Sequence, residues 1–576
     1  MNDSLRLLLE DYLGLMREEG ELDVFLPLLL SAMGHVIVYP SQKGGRQYGV
    51  DISSVGPGTD GKSTYFMWLV KRGAIDRVAW NSGPQSVRQS MEDVGDVYLR
   101  SHVHRQYQSL PKQLVVLTNG DFNQTLESTI KGYSDGWAQR NAAEVKLVNG
   151  SQLAAWTEDY LLGEYVLTAP NRALFRRLLS TTETPEFAIP VGCQLVDALV
   201  SSIRLPDGSA GAKRKRLLTV LRGLRMSLGV LQLWSEDADN LVTPYRVCEY
   251  AVLRVWQELH ADIEAGSKDV VAEYLGILAR LTGAGQAYHL RLLPYYQTQD
   301  GFVRALPESL LVTNRVFEEL GRLGLQGCLA ASFAVREGSP EATAVARNYL
   351  AMVEGLLQTH HCSKSPAFDH QAVDIHAALT LLAIGGRREV VRRWVKGLVE
   401  RFAHVLRGNQ KYLPSSGGFD DVLVVLHEYS EPVDEFYNTT TLVPILLLWT
   451  AALGMTDGYE FLRAQVVPNL KGSTMNFWSP DEGFDAIVAD GPALQRNGVG
   501  MPLEALPNAP SDFLAMLAEP IPVLPSIEKA AWYQTSAAYI PLMSALVFRL
   551  QMPREMLIKQ TLAVTAGCAA VEGVAA

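Results

Sequence analysis

Cysteine is scarce in this sequence, and an excess of positive charge and long apolar runs are both missing. The 576 residues hold five cysteines, Cys193, Cys248, Cys328, Cys362 and Cys568. They are odd in number, far apart and form no CxxC pair, which argues against a disulfide framework and for a reducing compartment. The longest mostly apolar run, Leu442 to Met455, contains Pro444 and falls short of the roughly 20 residues that a membrane-spanning helix needs. It reads as a buried helix. Asn2, Asp3 and Ser4 open the chain without a basic leader and apolar core, so no signal peptide is expected. The formal net charge is −11, so contact with nucleic acid would need a local cationic surface or a metal ion. The resulting expectation is a cytoplasmic protein without membrane association.

What is present is a folded-protein composition, 48% hydrophobic, in a chain too long for one core. Two to four domains are expected. Up to about residue 165 helix and strand patterns alternate. Ser4 to Arg17 and Asp23 to Met33 read as helices, the second closed by Gly34. His35 to Tyr39, Tyr48 to Val55 and Thr64 to Lys71 read as strands, with a turn-rich segment between the last two. Val87, Met91, Val94, Val97 and Tyr98 mark a helix stripe, Gln113 to Leu117 a buried strand, and Leu126, Ile130, Tyr133 and Trp137 another helix. Glu144 to Val148 and Gly150 to Leu162 close the segment as strand and helix. A mixed sheet with helices on both faces is the simplest packing for this order. Beyond about Asn171 helical patterns dominate, most clearly over Arg387 to Arg407. Residues 471–525 read as an irregular connection, and Ile527 to Leu562 as a final helical segment.

The chemistry concentrates in RQYGVDISSVGPGTDGKSTYFMWLVKRG, Arg46 to Gly73. An acid on one strand and a lysine on the next flank a glycine-rich turn centred near position 61. In an antiparallel hairpin with that centre, Asp51 and Lys71 stand opposite each other at about 5 Å between Cα atoms. Leu69 shares the face of Lys71. The plainest role for the two residues is an ordinary cross-strand ion pair. GPGTDGKST superficially resembles a phosphate-binding loop but lacks the GxxxxGK[ST] spacing and runs into a strand.

Helix, then GVDI, then a strand ending in lysine resembles the PD-(D/E)xK restriction-endonuclease-like superfamily, closest to its Mrr-like branch. Asp51 matches the family's metal-binding aspartate and Lys71 its catalytic lysine. DVFLPLLLSAMGH resembles its first core helix, whose acid falls on Asp23, with Glu21 as a neighbouring candidate. LVVLTNGDF resembles its next core strand, and AAEVKLVNGSQLAAW its closing strand and helix. The resemblance covers residues 15–162. It implies a Mg²⁺ or Mn²⁺ ion held by Asp51, with help from a backbone carbonyl near Val70 and from Asp23. Lys71 would orient the attacking water or stabilise charge on phosphorus. Leu69 departs from the pattern, because the family carries a polar ligand there. Three alternatives follow: a ligand displaced to Glu92 or Asp93, a metal held by Asp51 with Asp23 or Glu21 alone, or an inert site.

Outside this segment, Lys213-Arg214-Lys215-Arg216 is the most basic run and a candidate for contact with a phosphate backbone. The simpler role is the solvated start of a helix. His360, His361, Cys362, His370 and His376 lie close in sequence but match no zinc spacing. Trp478, Asp481, Glu482 and Asp485 are explained by turn chemistry. The expected architecture is a restriction-endonuclease-like α/β domain over 1–165, a helical region over 166–470, and a connection with C-terminal helices over 471–576. The expected function is metal-dependent cleavage of nucleic acid, DNA first. The helical region would sense a signal or mediate assembly, as a homo-oligomer or with a protein partner, in a role such as bacterial defence. The alternative is a catalytically inert scaffold or binding protein that reuses the fold.

Overall fold

The computed structural model describes the chain except residues 1–2, 17, 19–21, 40–47, 59–60, 84–85, 162–167, 205–208, 307, 408–418, 420–421, 424–437, 471–472, 482, 504, 520–526 and 576. It divides into two compact units, Met1–Asp239 and Asn240–Ala576. The boundary expected near residue 165 therefore falls inside the first unit. The helices α8 (Ala169–Ser180), α9 (Pro185–Ser201) and α10 (Ala210–Asp237) join the sheet's unit rather than the helical one.

The first unit is built on a five-stranded mixed sheet in the order β1 (Val36–Tyr39), β2 (Ile52–Pro57), β3 (Ser63–Lys71), β4 (Lys112–Thr118) and β5 (Glu144–Val148). The first two pairings are antiparallel and the last two parallel. The chain order is α1 (Asp3–Leu15), α2 (Asp23–Ala32), β1 to β3, α3 (Arg77–Asn81), α4 (Val87–Asp93), α5 (Leu99–Ser101), β4, α6 (Glu127–Asn141), β5 and α7 (Gly150–Trp156). β3 is central, and every residue from Thr64 to Val70 is buried, as expected of a strand covered on both faces. Its alternation decides which side chain goes where. Tyr65, Met67 and Leu69 pack with Leu114 and Val116 against Val87 and Met91 of α4 and Ile130 and Trp137 of α6. Phe66 and Trp68 point to the other face, where Trp68 meets the Trp156 ring of α7.

That second face carries a polar lock. Ser54 Oγ accepts a hydrogen bond from Trp68 Nε1 at 2.9 Å and lies 3.0 Å from His35 Nδ1. Burial lowers the His35 pKa to about 4, so the imidazole is neutral and the three residues staple β1, β2 and β3 together.

A second polar junction fixes α1 against the sheet. Asn119, 2% exposed, follows β4 directly. Its Oδ1 accepts from Gly73 N at 2.7 Å, and its Nδ2 donates to Leu13 O at 2.7 Å and Met16 O at 3.0 Å. One carboxamide thereby satisfies two carbonyls left over at the C-terminus of α1 and one amide just past β3.

α9 with its following turn, Pro185–Arg204, is long and apolar enough to cross a bilayer. In this unit it buries Ala188, Val191, Leu195, Val196 and Leu199 and packs on α8 and α10.

The second unit is helical. It runs through α11 (Val242–Glu264), α12 (Lys268–Gln297), α13 (Ser309–Glu337), α14 (Pro340–Thr359), α15 (Gln371–Ile384) and α16 (Arg388–Arg407). It continues with α17 (Leu442–Ala452), α18 (Thr456–Phe461), α19 (Gly491–Arg496), α20 (Pro510–Ala518), α21 (Tyr539–Phe548) and α22 (Arg554–Ala575). Leu442 to Ala451 is buried throughout, as its composition predicts. The stretch expected to be an irregular connection instead contains β7 (Thr474–Ser479) and β8 (Val499–Pro502), which form a small sheet with β6 (Thr439–Thr440). In the middle of this unit Glu319, fully buried, accepts from Tyr288 Oη at 2.6 Å and Tyr296 Oη at 2.7 Å. Burial works against its charge, but Arg315 and Arg322 outweigh it and hold the carboxyl down at about 2.

Asn119→Ala removes the side-chain partner of Met16 O and of Gly73 N, each a desolvated group that costs about 1–3 kcal/mol, and leaves Leu13 O with the Met16 amide at 3.2 Å. The expected loss of stability in chemical denaturation is about 2–4 kcal/mol, and a loss below about 1 kcal/mol would show that α1 is held by its apolar contacts instead.

Candidate active site at the end of the central strand

Asp51 sits one residue before β2. The chain enters it through Tyr48 and Gly49, both at positive φ (48° and 80°). Its amide donates to Trp68 O at 2.8 Å, and the ladder then runs Ile52↔Trp68 to Pro57↔Ser63. Continued outward, this register sets Asp51 against Leu69, not Lys71. The hairpin centre expected at 61 is one residue too far along, because the turn spans only the five residues between Pro57 and Ser63.

The side chain makes up the difference. Asp51 Oδ2 accepts from Val70 N at 2.7 Å, taking the place of a ladder carbonyl at the end of β3. The carboxylate thus lies beside the backbone that carries Lys71. Burial pushes the Asp51 pKa up to about 6; the Val70 amide and the Lys71 charge pull against that rise, and Glu18 adds to it. Lys71 Nζ is itself 4.0 Å from Glu18 Oε1, with the two side chains 20% and 43% exposed. Glu18, Asp51 and Lys71 are therefore one electrostatic group.

Glu18 is the residue that sequence reasoning missed. It follows the end of α1 by three residues and stands five residues ahead of the acid chosen by spacing. Asp23 instead heads α2, and its Oδ1 is buried without a hydrogen-bond partner. It is not among the groups that act on the Asp51 carboxyl, and among the described residues no three of His, Cys, Asp or Glu gather as metal ligands. Glu21 lies outside the described residues. Glu92, on α4, is held by Tyr133 and by Arg140 at 3.4 Å, both on α6. Asp93 accepts from Gln89 at 3.0 Å. Neither replaces the ligand that Leu69 cannot supply. Leu69 is 1% exposed and belongs to the core beneath the sheet.

The basic run does not form one cationic face. Lys213 and Lys215 are exposed at the start of α10, Arg214 is half-buried, and Arg216, 8% exposed, turns inward. His360 and His376 of the second unit are buried, while His361 is exposed beside Asp300. His376 Nε2 lies 3.1 Å from Gln560 Oε1, and His360 Nδ1 lies 2.8 Å from Thr359 Oγ1. Asp485 accepts from Trp256 Nε1 at 2.7 Å and Ala531 N at 2.8 Å, a structural role.

No family model, no curated protein and no solved structure matches this chain. The site is therefore read from its chemistry alone. Two carboxylates, one strongly desolvated, suit a hard divalent cation, since Mg²⁺ is commonly held by one or two carboxylates with water and substrate phosphates completing its shell. A cation there would offset the burial that now favours the protonated form of Asp51. Glu18, rather than the expected Asp23, is the second carboxylate that acts on the Asp51 carboxyl.

The Asp51 pKa, raised from its ordinary value of 3.8 to about 6, fixes a pH dependence. The folded state favours the protonated acid, so the group does no harm below pH 4. Its penalty grows between pH 4 and 6 and is complete above. Asp51→Asn keeps the acceptor for Val70 N and removes the charge. At pH 7.5 it is expected to be more stable than the wild type by about 3 kcal/mol, with the gap closing near pH 4. Equal stability at both pH values would show that Asp51 is not desolvated.

Proposed function

We propose that the first unit is a metal-dependent nuclease that hydrolyses phosphodiester bonds, with DNA as its substrate. One observation carries the reading: Glu18, Asp51 and Lys71 converge at the end of the central strand, around a carboxylate whose charge is kept in place at a cost to stability. A group of that kind is characteristic of sites selected for chemistry. The mixed sheet with its antiparallel hairpin supports the resemblance to the restriction-endonuclease-like superfamily without establishing membership.

In this reading Asp51 and Glu18 hold the cation. A bound Mg²⁺ or Mn²⁺ supplies polarisation of the scissile phosphate and a lower pKa for water. Val70 N keeps the Asp51 carboxylate oriented through its hydrogen bond to Oδ2. Lys71 offers a fixed positive charge to a phosphate oxygen as negative charge develops there. Lys213 and Lys215, exposed on α10 of the same unit, are the cations we assign to the nucleic-acid backbone.

A binding role without catalysis is favoured by a different observation, the burial of Leu69 where a third polar ligand would be needed. Cleavage of supercoiled and linear DNA with Mg²⁺ or Mn²⁺ separates the two. The nuclease reading predicts nicking by the wild type that falls by about 10²-fold or more in Asp51→Ala and Lys71→Ala, and measurably in Glu18→Ala. Cleavage that survives the first two substitutions would reject the site, and binding of DNA without any cleavage would favour the scaffold.

A further inference from the structure

The second unit contains a cleft of about 270 Å³ that none of the sequence motifs explains. It opens over one face of β7 and β8, closed by Phe484, by α19 and by Pro541 and Ser544 of α21. No side chain lining it carries a formal charge. Asn476 and Trp478 are two apart on β7 and so share the face that looks into it. Trp478 is fixed by its Nε1, which donates to Asn497 O at 2.8 Å, and its ring stands edge-on to Phe484 with centroids 6.0 Å apart.

The Asn476 carboxamide is the unusual group. Its Oδ1 is buried and accepts no hydrogen bond. A buried acceptor left open keeps its full desolvation cost unless something fills it. Two glycines of the opposing segment let the carboxamide and the indole pack directly against its backbone. A Cβ at Gly500 would lie 2.6 Å from Asn476 Nδ2 and 3.2 Å from its Oδ1. A Cβ at Gly498, at φ +85°, would lie 2.6 Å from Trp478 Nε1. Any side chain at these positions would displace the carboxamide or the indole.

We propose that this cleft binds an uncharged adenine-type base or its nucleoside. A carboxamide places an acceptor and a donor side by side, which matches the amino group and ring nitrogen on the edge of adenine. Trp478 and Phe484 supply the aromatic wall that a flat heterocycle needs. The volume admits a nucleoside. The absence of charge in the walls leaves a phosphate without a partner, so the base and sugar enter and any phosphate stays outside. Every residue of this cleft belongs to the second unit, apart from the residues of the nuclease reading.

Titration calorimetry of adenosine into the full-length chain tests this, with Trp fluorescence as a second signal. The expected result is saturable binding at one site, not tightened in AMP, and at least about tenfold weaker in Asn476→Ala. Purine riboside, which lacks the exocyclic amine, should bind the wild type at least about tenfold more weakly than adenosine, and this comparison needs no variant to fold. No saturation at millimolar adenosine would overturn the proposal. So would equal affinity for purine riboside, or unchanged binding in a folded Asn476→Ala protein.

Discussion

The side chain of Asn119 decides where the acid and the lysine of the candidate site meet. Glu18 follows α1 by a few residues, and Lys71 ends β3. Nothing in the hairpin brings them together, because they belong to different elements. Asn119 ties the last carbonyls of α1 to Gly73 N, two residues beyond Lys71. Thr118 Oγ1 adds a hydrogen bond to Gly73 O from the adjacent position. The end of α1 and the end of β3 are thus held to one point by a buried group that satisfies three backbone atoms at once. Under the nuclease reading, the spacing between the acid pair and the lysine is inherited from that point.

The hairpin adds the second half of the site by an irregularity. Had β2 begun two residues earlier as regular strand, the Val50 carbonyl would have met Val70 N, and Asp51 would have been an ordinary strand residue. The left-handed turn at Tyr48 and Gly49 starts the strand late, and the carboxylate fills the vacancy in the ladder. This leaves a charge in a poorly solvated place next to an ammonium group and a second carboxylate. The rigid underside of the hairpin, where His35, Ser54 and Trp68 interlock, keeps this arrangement from relaxing. A cation is the species that would relieve it most directly.

Much of the first unit was legible in the sequence because its signals are local. Short apolar runs beside turn formers placed β3 and β4, glycine ended α2, and the leucine and aromatic stripes placed α1, α4 and α6. The register was not legible to better than two residues, since the turn length depends on where Pro57 leaves the ladder. That error made Lys71 the direct partner of Asp51, whereas the contact runs through the Val70 amide. Glu18 was missed because a tertiary tie, not helix spacing, selects it. Arg216 shows the same limit: a basic run in sequence does not reveal which of its members the helix turns inward. β7 was missed because TMNFWS, although alternating, lies among Pro, Gly and Asn that mark loops. The cleft beside it depends on a glycine-bearing strand that has no distinctive pattern of its own.

The two units differ in how they use buried polarity. In the helical unit Glu319 is enclosed by two tyrosines and two arginines, and the pairing stabilises its charge. At Asp51 the surroundings leave the charge only partly compensated. That contrast is the central claim, and anomalous diffraction from crystals soaked in Mn²⁺ tests it most directly. The account predicts a peak shared by the carboxylates of Glu18 and Asp51, beside the end of β3, that disappears in Asp51→Asn crystals. Well-occupied manganese elsewhere on the protein, with no peak between the two acids, would contradict it.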